Sequence, residues 1–436
     1  MNAKKFWAML LTLAMVLSLV ACGGGTDEKP ADEEKEPVGT EEPAGEEEWS
    51  LGVDTIKIGY VGPLTGNSSA MGLGNEQGAL MAVEAINAAG GIGGAKLEFV
   101  SRDDEADPTK NFTYVEELIY KEEISMLVGA PNSACAAASL DAITENGIIN
   151  ILCTATSASI VDPAAYPYTF RITSTNDIQA ESLVQMAKEG GYKKVVVIGD
   201  TSALGIDGFA ATEKYAAEYG VEIAEYISYT ADDADLSPVA NSIKNAGADL
   251  VIAWTLGADA AKIIRVLDRI DYMEGKCDII GYTGLYNQAF IDLVADIDAP
   301  NVSYLGFGPW SIAPGAEKLG DKAQATYDAF AERFGEYKLD GSGRTSTFVE
   351  ACRAYEAVLL YCNMIERAQS IDPDAVKEAM ETYGKDYEVQ SYEWEGGFPF
   401  SADNHEGYNA SQMCKCDMKE KLVNDYVAGD LPWIAK

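Results

Sequence analysis

Histidine is almost absent from this chain: among 436 residues, His405 is the only one. Ser-His and Cys-His catalysts need an imidazole beside the nucleophile, where it acts as the general base. His405 lies in a stretch rich in glycine and asparagine near the C-terminus, and no nucleophile motif accompanies it. We therefore expect a protein that is not an enzyme.

Basic residues are also scarce, with 32 Lys and Arg against 70 Asp and Glu and a formal net charge of −38. A surface this acidic repels the phosphate backbone of nucleic acids. Beyond the N-terminal lysines there is no basic cluster that would bind an anionic membrane. These charges exclude nucleic acid as a partner, and we interpret the acidity as a contribution to solubility.

Nucleotide-binding motifs are missing too. The glycines at 90–94 lie between a predicted helix and a predicted strand, whereas a dinucleotide fingerprint follows a strand and opens a helix. No phosphate-binding loop occurs elsewhere. The acidic pairs Asp103-Asp104 and Asp232-Asp233 are typical of solvated turns. We therefore expect no cofactor and no catalytic carboxylates.

Cysteine is infrequent and its number is odd. Apart from Cys22, the cysteines are Cys135, Cys153, Cys277, Cys352, Cys362, Cys414 and Cys416. Cys352 and Cys362 fall on one predicted helix, about 15 Å apart along its axis, which forbids a bridge between them. Cys414 and Cys416 would share one face of a strand, but no further metal ligands accompany them. We expect mostly buried thiols and no metal site.

The one long apolar run, at 6–20, is too short to cross a bilayer as a stable helix. Two lysines precede it, which is the pattern of a secretory signal peptide. The run ends in Leu19-Val20-Ala21-Cys22-Gly23, which resembles the lipobox of bacterial lipoproteins. That resemblance implies a signal peptide at 1–21 and lipid attachment at Cys22, so that the protein is extracytoplasmic and anchored to the cell membrane. An ordinary signal peptide that contains a cysteine stays open as the alternative.

Large apolar side chains nearly disappear after Cys22, and glycine, proline and acidic residues predominate up to Trp49. Such a stretch cannot bury enough surface to fold. A flexible chain of this length has a root-mean-square span of about 30 Å. Residues 22–52 are therefore predicted to be a disordered acidic tether.

The rest of the chain alternates short β-rich runs with helical periodicity, the pattern of parallel sheets with helices on both faces. A first series has predicted strands at 55–61, 96–100, 126–128 and 148–152. A second series follows the connecting segment 168–176, with strands at 195–199, 221–228, 249–254 and 278–281. A long helix is predicted near 347–368. The expected fold class is α/β, with two doubly wound parallel-sheet lobes.

Seven segments carry a family resemblance through their order along the chain. They are IKIG at 56–59, GPLTG at 62–66, AINAAGGIGG at 85–94, DDEADP at 103–108, VGAPNS at 128–133, Phe170-Arg171 with Asp177, and DDADL at 232–236. Together they resemble the branched-chain amino-acid-binding (Leu/Ile/Val-binding) family, which has the type 1 periplasmic binding fold of ABC importers. The resemblance covers about 55–427.

The resemblance implies two lobes, joined by a multi-strand hinge, that close over a small solute. It places lobe one at 53–173 plus about 306–393, and lobe two at 174–305 plus about 394–430. It also implies a monomer whose partners are the solute and an ABC permease and ATPase complex. A sensor that presents its closed form to a receptor and a purely structural surface lipoprotein stay open as alternatives.

Two segments of lobe one are implied to bind the ligand at the carboxyl ends of strands, where open α/β sheets hold their ligands. Ser133 begins a helix, where its hydroxyl and the neighbouring N–H groups can receive a carboxylate. Thr154 and Thr156 follow the fourth strand, in the segment that holds the polar head of the ligand in the family. Helix capping and turn formation stay open as roles for these hydroxyls.

Lobe two departs from the family's pattern. Thr283 stands where the amino-acid binders have an acidic residue for the ligand's ammonium group, and Met71 and Leu204 stand where tyrosines are expected. Four residues at strand ends are candidates for the ligand wall, with packing as the alternative: Trp254, Thr255, Tyr282 and Tyr286. The expected ligand is an amino acid or another small carboxylate or amide.

Overall fold

The structure is a computed structural model. It describes residues 49–66, 68–231, 233–273, 275–285, 290, 293–294, 296–297, 301–307, 320–335, 344–392, 394, 396–408, 413–417 and 428–429. The predicted signal peptide, Cys22, the tether up to residue 48, Asp232, Tyr286 and residues 418–427 lie outside the described residues. Within the described ranges, no helix has the length and apolar character needed to cross a membrane.

The first sheet has five parallel strands in the order β2-β1-β3-β4-β5. They are β1 Thr55–Gly62, β2 Lys96–Asp103, β3 Met126–Gly129, β4 Ile149–Leu152 and β5 Thr169–Arg171. Parallel neighbours need long crossover connections. Helices supply three of these, α1 Ser69–Ala88, α2 Pro108–Glu117 and α3 Ser133–Glu145.

The second sheet has seven strands in the order β12-β11-β10-β9-β8-β6-β7. They are β6 Val195–Asp200, β7 Ile223–Tyr229, β8 Leu250–Trp254, β9 Asp278–Gly281, β10 Val302–Phe307, β11 Met413–Asp417 and β12 Ala428–Gly429. β11 pairs in antiparallel fashion with both β10 and β12, and the other strand pairs described in this sheet are parallel. The helices of this lobe are α4 Asn176–Gly190, α5 Ala203–Tyr219, α6 Ser237–Ala246 and α7 Gly257–Arg269. The predicted fold class of two α/β lobes is confirmed.

Three later helices pack on the first lobe: α8 Asp321–Phe334, α9 Arg344–Ala368 and α10 Pro373–Tyr383. Phe330 of α8 packs edge-on against Phe348 of α9, with 6.1 Å between the ring centroids. The backbones of α1 and α9 approach closely at Gly78, where a Cβ would stand 2.0 Å from the carbonyl oxygen of Ala351. Glycine at 78 is therefore required for α9 to lie against α1.

The chain passes between the lobes from β5 to α4, from β10 toward α8, and again before β11. Residues 397–408 contact the first lobe, because Phe400 packs on Phe170 with ring centroids 5.0 Å apart and Glu406 forms a parallel bridge with Arg171. The ranges of the two lobes stay a prediction. These contacts favour a third crossing after Tyr408 instead of near residue 394.

Some elements differ from the sequence-based expectation. Helix α1 begins at Ser69 and not near Gly74, because glycines at 72 and 74 interrupt the apolar pattern of its first turns. Strands β5 and β10 were not predicted. β5 has only three residues, too few to show an alternation of apolar and polar side chains, and β10 mixes serine and glycine with apolar residues.

The acidic pair at the end of β2 is a correction. The interpretation of Asp103-Asp104 as a solvated turn is wrong for Asp104, which has no exposed surface. Its carboxylate accepts hydrogen bonds from the Ala106 N–H and from Nδ2 of Asn111, each at 2.8 Å. Burial raises the pKa of Asp104. The carboxylate therefore ties this turn to α2 inside the lobe.

Five cysteines of the described ranges are buried free thiols, as predicted: Cys135, Cys153, Cys277, Cys352 and Cys362. Cys352 and Cys362 both lie on α9, which confirms the interpretation that they share one helix. Burial raises the thiol pKa of Cys135 and Cys153. These thiols are therefore inert apolar groups of the core at neutral pH.

Candidate functional site

Ser133 is the first residue of α3, as predicted. Asn132 precedes it in an extended conformation but makes no side-chain hydrogen bond to the first turn of the helix, and this turn contains no acidic residue. The N–H groups at a helix start carry partial positive charge and lack partners within the helix. This end of α3 is therefore suited to receive a carboxylate.

The segment 154–157, which follows β4, lies beside Ser133. The N–H of Ser157 donates a hydrogen bond to Oγ of Ser133 at 3.3 Å. Thr156 is buried, and its carbonyl oxygen accepts a hydrogen bond from the N–H of Asn176 at 2.8 Å. The fold thus brings Ser133 and Thr156 together at the carboxyl ends of β3 and β4, and their role in ligand binding stays a prediction.

Thr154 belongs to a buried polar network within lobe one. Its hydroxyl donates to Oε2 of Glu350 at 2.5 Å and accepts a hydrogen bond from Nδ2 of Asn75 at 3.2 Å. Glu350 also contacts Arg353, with Nη1 of Arg353 3.1 Å from Oε1. Burial raises the pKa of Glu350, and the arginine opposes that shift. The network joins β4 to α1 and α9 and holds the start of the 154–157 segment in place.

The start of α4 joins candidate residues of both lobes. Asn176, whose N–H binds Thr156, also donates from Nδ2 to the carbonyl of Leu204 at 3.4 Å. Oε1 of Gln179 accepts a hydrogen bond from the N–H of Thr283 at 2.9 Å. Within the described residues, Oδ1 of Asn176 and Nε2 of Gln179 are buried without a hydrogen-bond partner. Since buried polar atoms are normally paired, this end of α4 retains capacity to bind a polar solute.

Trp254, Thr255 and Tyr282 lie at the ends of β8 and β9 with buried side chains. The Trp254 indole donates to Oγ1 of Thr212 at 2.9 Å, and its ring centroid lies 5.5 Å from that of Tyr282. The Thr255 hydroxyl forms a hydrogen bond with the hydroxyl of Tyr229. Burial raises the pKa of Tyr282. These side chains form a packed layer in this conformation, and their place in a ligand wall stays a prediction.

Asp207, on α5 of lobe two, contacts lobe one beside the 154–157 segment. Its Oδ2 accepts hydrogen bonds from the hydroxyl of Ser159 at 3.1 Å and from the Ser159 N–H at 3.4 Å. It also accepts one from the hydroxyl of Ser157. A lobe-two carboxylate is thus held at the edge of the candidate site.

Four residues at this site were not assigned to it from the sequence: Asn75, Arg171, Asp207 and Glu350. Arg171 entered only through the family resemblance, as part of the first crossing. Asp207 follows Leu204 by three residues, which places both on one helix face, so this spacing was a usable signal. Glu350 has no such signal, because it lies 196 residues from Thr154.

Other features do not compete for the site. An open surface depression in lobe one is lined by Lys322, Lys385, Tyr387 and Trp394 among others, and by none of the predicted site residues. In the part of the chain that the structure describes, no three His, Cys, Asp or Glu side chains are arranged to hold a metal ion. The hydroxyl and N–H groups around Ser133 and Thr156 are suited to hydrogen-bond a small polar solute.

Comparison with known proteins covers most of the chain. The family model described as periplasmic binding protein matches residues 55–421. A protein of Pseudomonas aeruginosa named leucine-, isoleucine-, valine-, threonine-, and alanine-binding protein is 27% identical over 338 residues, which are 77% of this chain and 85% of that protein.

Solved structures are similar over a comparable length. One is the branched-chain amino acid transporter substrate binding protein of Streptococcus pneumoniae in complex with isoleucine, at 25% identity and a TM-score of 0.69, covering 86% of this chain and 99% of that one. Another is a type 1 periplasmic binding protein of Bordetella pertussis, with a TM-score of 0.74, 24% identity, and coverage of 84% and 96%.

Proposed function

Because this chain belongs to the periplasmic binding protein family, whose members bind solutes and are not enzymes, we propose that it is the extracytoplasmic solute-binding lipoprotein of an ABC importer. Its proposed ligand is an amino acid or a related small carboxylate or amide. Its proposed partners are the solute and a permease and ATPase complex, with the protein acting as a monomer.

The observation that carries this proposal is the pairing of Ser133 with the 154–157 segment. The first turn of α3 has neither a side-chain cap nor an acidic residue, so its N–H groups are available to an anion. The hydroxyl of Ser133 and the buried Thr156 lie beside this helix start. A carboxylate at this position would meet several donors at once, which is how a solute of this class is held.

The names of the relatives favour an amino acid as the ligand. The P. aeruginosa protein is named for five amino acids, and the S. pneumoniae protein is in complex with isoleucine. Thr283 supplies no negative charge for an ammonium group. Asp207, from the same lobe, brings a carboxylate to the edge of the site. Both an amino acid and a carboxylate without an ammonium group therefore belong to the proposed ligand class.

Capture is proposed to proceed by closure of the two lobes about the crossings between them. The contact of Asp207 with Ser157 and Ser159 spans the lobes beside the site, so it is available to stabilise the closed form. Closure excludes water, and each remaining polar contact to the solute is then stronger.

The proposed attachment to the membrane depends on the N-terminal motif. Lipid on Cys22 and the predicted acidic tether up to residue 48 would hold the lobes about 30 Å from the bilayer surface. This distance leaves the binding protein free to reach a permease in the same membrane. The prediction that the tether extends to residue 52 is wrong, because Trp49 and Leu51 pack on the core and the Leu51 N–H donates to the Gly93 carbonyl at 2.9 Å.

The proposal is tested by thermal unfolding of the purified protein with each standard L-amino acid, and with the amide and the deaminated acid of any that binds. A solute at about 100 times its dissociation constant should stabilise the fold by about 2.7 kcal/mol. If no compound of these classes stabilises the protein, the ligand proposal is wrong. Import is tested separately, since a deletion strain should lose uptake of the labelled solute, and unchanged uptake would favour sensing.

A further inference from the structure

The guanidinium of Arg171 contacts the backbone of the 154–157 segment. Arg171 is fully buried, and Nη1 donates to the carbonyl oxygens of Ala155 at 3.1 Å and Ser157 at 2.6 Å. Two backbone carbonyls of this segment are thus held by one side chain. The carbonyl of Thr156 between them is held by the N–H of Asn176.

The carboxylate of Glu406 accepts hydrogen bonds from the remaining edge of the same guanidinium, formed by Nε and Nη2. Nε of Arg171 donates to Oε2 of Glu406 at 2.8 Å, and Nη2 donates to Oε1 at 2.5 Å. The backbones pair as well, because the Arg171 N–H donates to the carbonyl of His405 at 2.9 Å and the Gly407 N–H donates to the carbonyl of Arg171 at 2.8 Å. A two-point carboxylate contact fixes the plane of an arginine more strictly than a single contact does.

From this geometry we propose that Glu406 is a positioning residue for solute binding, which acts through Arg171 on the 154–157 segment. The proposal rests on the function proposed above. The Arg171–Glu406 pair joins two distant parts of the chain, since the two residues are 235 positions apart. Glu406 belongs to the stretch that precedes the third crossing, and Arg171 ends the strand that precedes the first. The pair thereby connects two of the crossings with the site.

The contacts have a chemical consequence for the solute. The carbonyls of Ala155, Thr156 and Ser157 each accept a hydrogen bond from Arg171 or Asn176. The hydroxyls of Thr154 and Ser157 already donate within the protein, so we expect the segment to offer the solute the N–H and hydroxyl donors of Thr156. Donors suit a carboxylate better than an amide, because an amide presents one acceptor oxygen together with an NH₂ group. Glu406 is therefore expected to set the preference for a carboxylate over the matching amide.

The test compares Glu406→Gln with Glu84→Gln in the full chain. Glu84 is a matched control because it also makes a two-point contact with an arginine, Arg333, at 3.0 and 2.9 Å, away from the 154–157 segment. The first measurement needs no solute: hydrogen exchange of the backbone amides at 154–159. In Glu406→Gln these amides should exchange about tenfold faster than in the wild type, a change equivalent to one lost hydrogen bond. In Glu84→Gln they should not change.

The second measurement is calorimetric affinity for L-isoleucine and for L-isoleucinamide. Glu406→Gln should weaken binding of L-isoleucine about tenfold and reduce the ratio of the affinity for L-isoleucine to the affinity for L-isoleucinamide. Glu84→Gln should leave both affinities unchanged. If the wild type binds neither compound, isoleucine is excluded as a ligand of the proposed function, and the exchange measurement still decides the positioning role.

Two results would overturn the proposal. One is wild-type exchange at 154–159 in Glu406→Gln. The other is a gain in affinity for L-isoleucine, which would mean that Arg171 without its partner attracts the solute as a free charge. Should Glu406→Gln not fold, Glu406→Asp keeps the charge and shortens the side chain by one methylene. The amides at 154–159 of Glu406→Asp should then exchange faster than those of the wild type, and a wild-type rate in that variant would also contradict a positioning role.

Discussion

The imidazole of His405 stacks on the ring of Phe170, with 3.9 Å between the ring centroids and 21° between their planes. Nδ1 lies 2.9 Å from the carbonyl oxygen of Thr169, so this nitrogen carries the hydrogen and donates. Nε2 lies 3.1 Å from Oε1 of Glu381, to which it donates only when the imidazole is protonated, and Glu381 is also paired with Lys377 at 2.9 Å. The single histidine of the chain is therefore a buried structural residue that joins α10 to the edge strand β5.

Acidification should destabilise the fold through His405. Burial lowers its pKa below the ordinary value of 6.5, although Glu381 opposes the shift. The unfolded chain then takes up the proton first, so this contribution to stability is complete above about pH 6.5 and is lost as the pH falls below it toward the folded-state pKa. His405→Gln should remove this dependence, since Glu381 and Lys377 remain in both proteins.

The measurement is the free energy of unfolding of both proteins between about pH 7.5 and pH 5.5. The wild type should lose more stability than His405→Gln over this range. If the free energies of unfolding of the two proteins change equally with pH, His405 is not the source of the pH dependence, because all other titrating groups are common to both proteins.

Replacing Ser133 and Thr156 together by alanine should abolish stabilisation by solute while leaving the fold intact. The two hydroxyls lie beside the start of α3, and their removal takes donors away from the proposed carboxylate position. Thermal unfolding with a bound solute measures the effect, and the expected loss is the whole increment of about 2.7 kcal/mol at 100 times the dissociation constant. Thr113→Ala, an exposed hydroxyl on α2, is the control. Undiminished calorimetric affinity would remove both residues from the site.

Asp207→Asn should weaken closure of the lobes. The carboxylate accepts hydrogen bonds from Ser157 and Ser159 across the interface between the lobes. Loss of the net free energy of one hydrogen bond corresponds to about a tenfold change in the ratio of closed to open protein. Solute affinity and the radius of gyration with solute, from small-angle scattering, report the change. Asp268→Asn, an exposed aspartate on α7, should leave both unchanged. Equal compaction of Asp207→Asn and wild type would show that this contact does not stabilise the closed form.

Trp254→Phe should lower the free energy of unfolding by about 1–3 kcal/mol. It removes the indole donor and leaves the buried hydroxyl of Thr212 with one partner fewer. Chemical denaturation measures this loss. Solute affinity of the same variant separates the two roles open for Trp254: unchanged affinity supports packing, and weakened affinity beyond the stability effect supports a place in the ligand wall.

Cys22→Ala should yield a protein that carries no lipid and is either soluble or unprocessed. Thiol chemistry at this position is required for the diacylglycerol attachment that the motif around Cys22 implies. Metabolic labelling with a fatty acid detects the modification, and Cys153→Ala, a buried thiol of the core, should still be labelled. Persistent label in Cys22→Ala would mean that the lipid is attached elsewhere or that the motif was misinterpreted.

The family resemblance assigned Ser133, Thr154 and Thr156 to the site, and local patterns added only that Ser133 begins a helix and that the threonines follow a strand. Asp104 was misinterpreted from such a local pattern, since an acidic pair at a strand end has the composition of a solvated turn. Its burial depends on Asn111 and on the packing of α2, which no local pattern reports.

The sequence by itself determined the α/β class, the two lobes, and the position of Ser133 at a helix start, because hydrophobic periodicity and turn residues act over a few positions. Only the tertiary structure decided that Glu350 binds Thr154, that Glu406 fixes Arg171 behind the 154–157 segment, and that Asp207 spans the lobes. Those contacts join residues 196, 235 and 48 positions apart, and a pairing over such distances is set by how whole elements pack and not by neighbours in the chain.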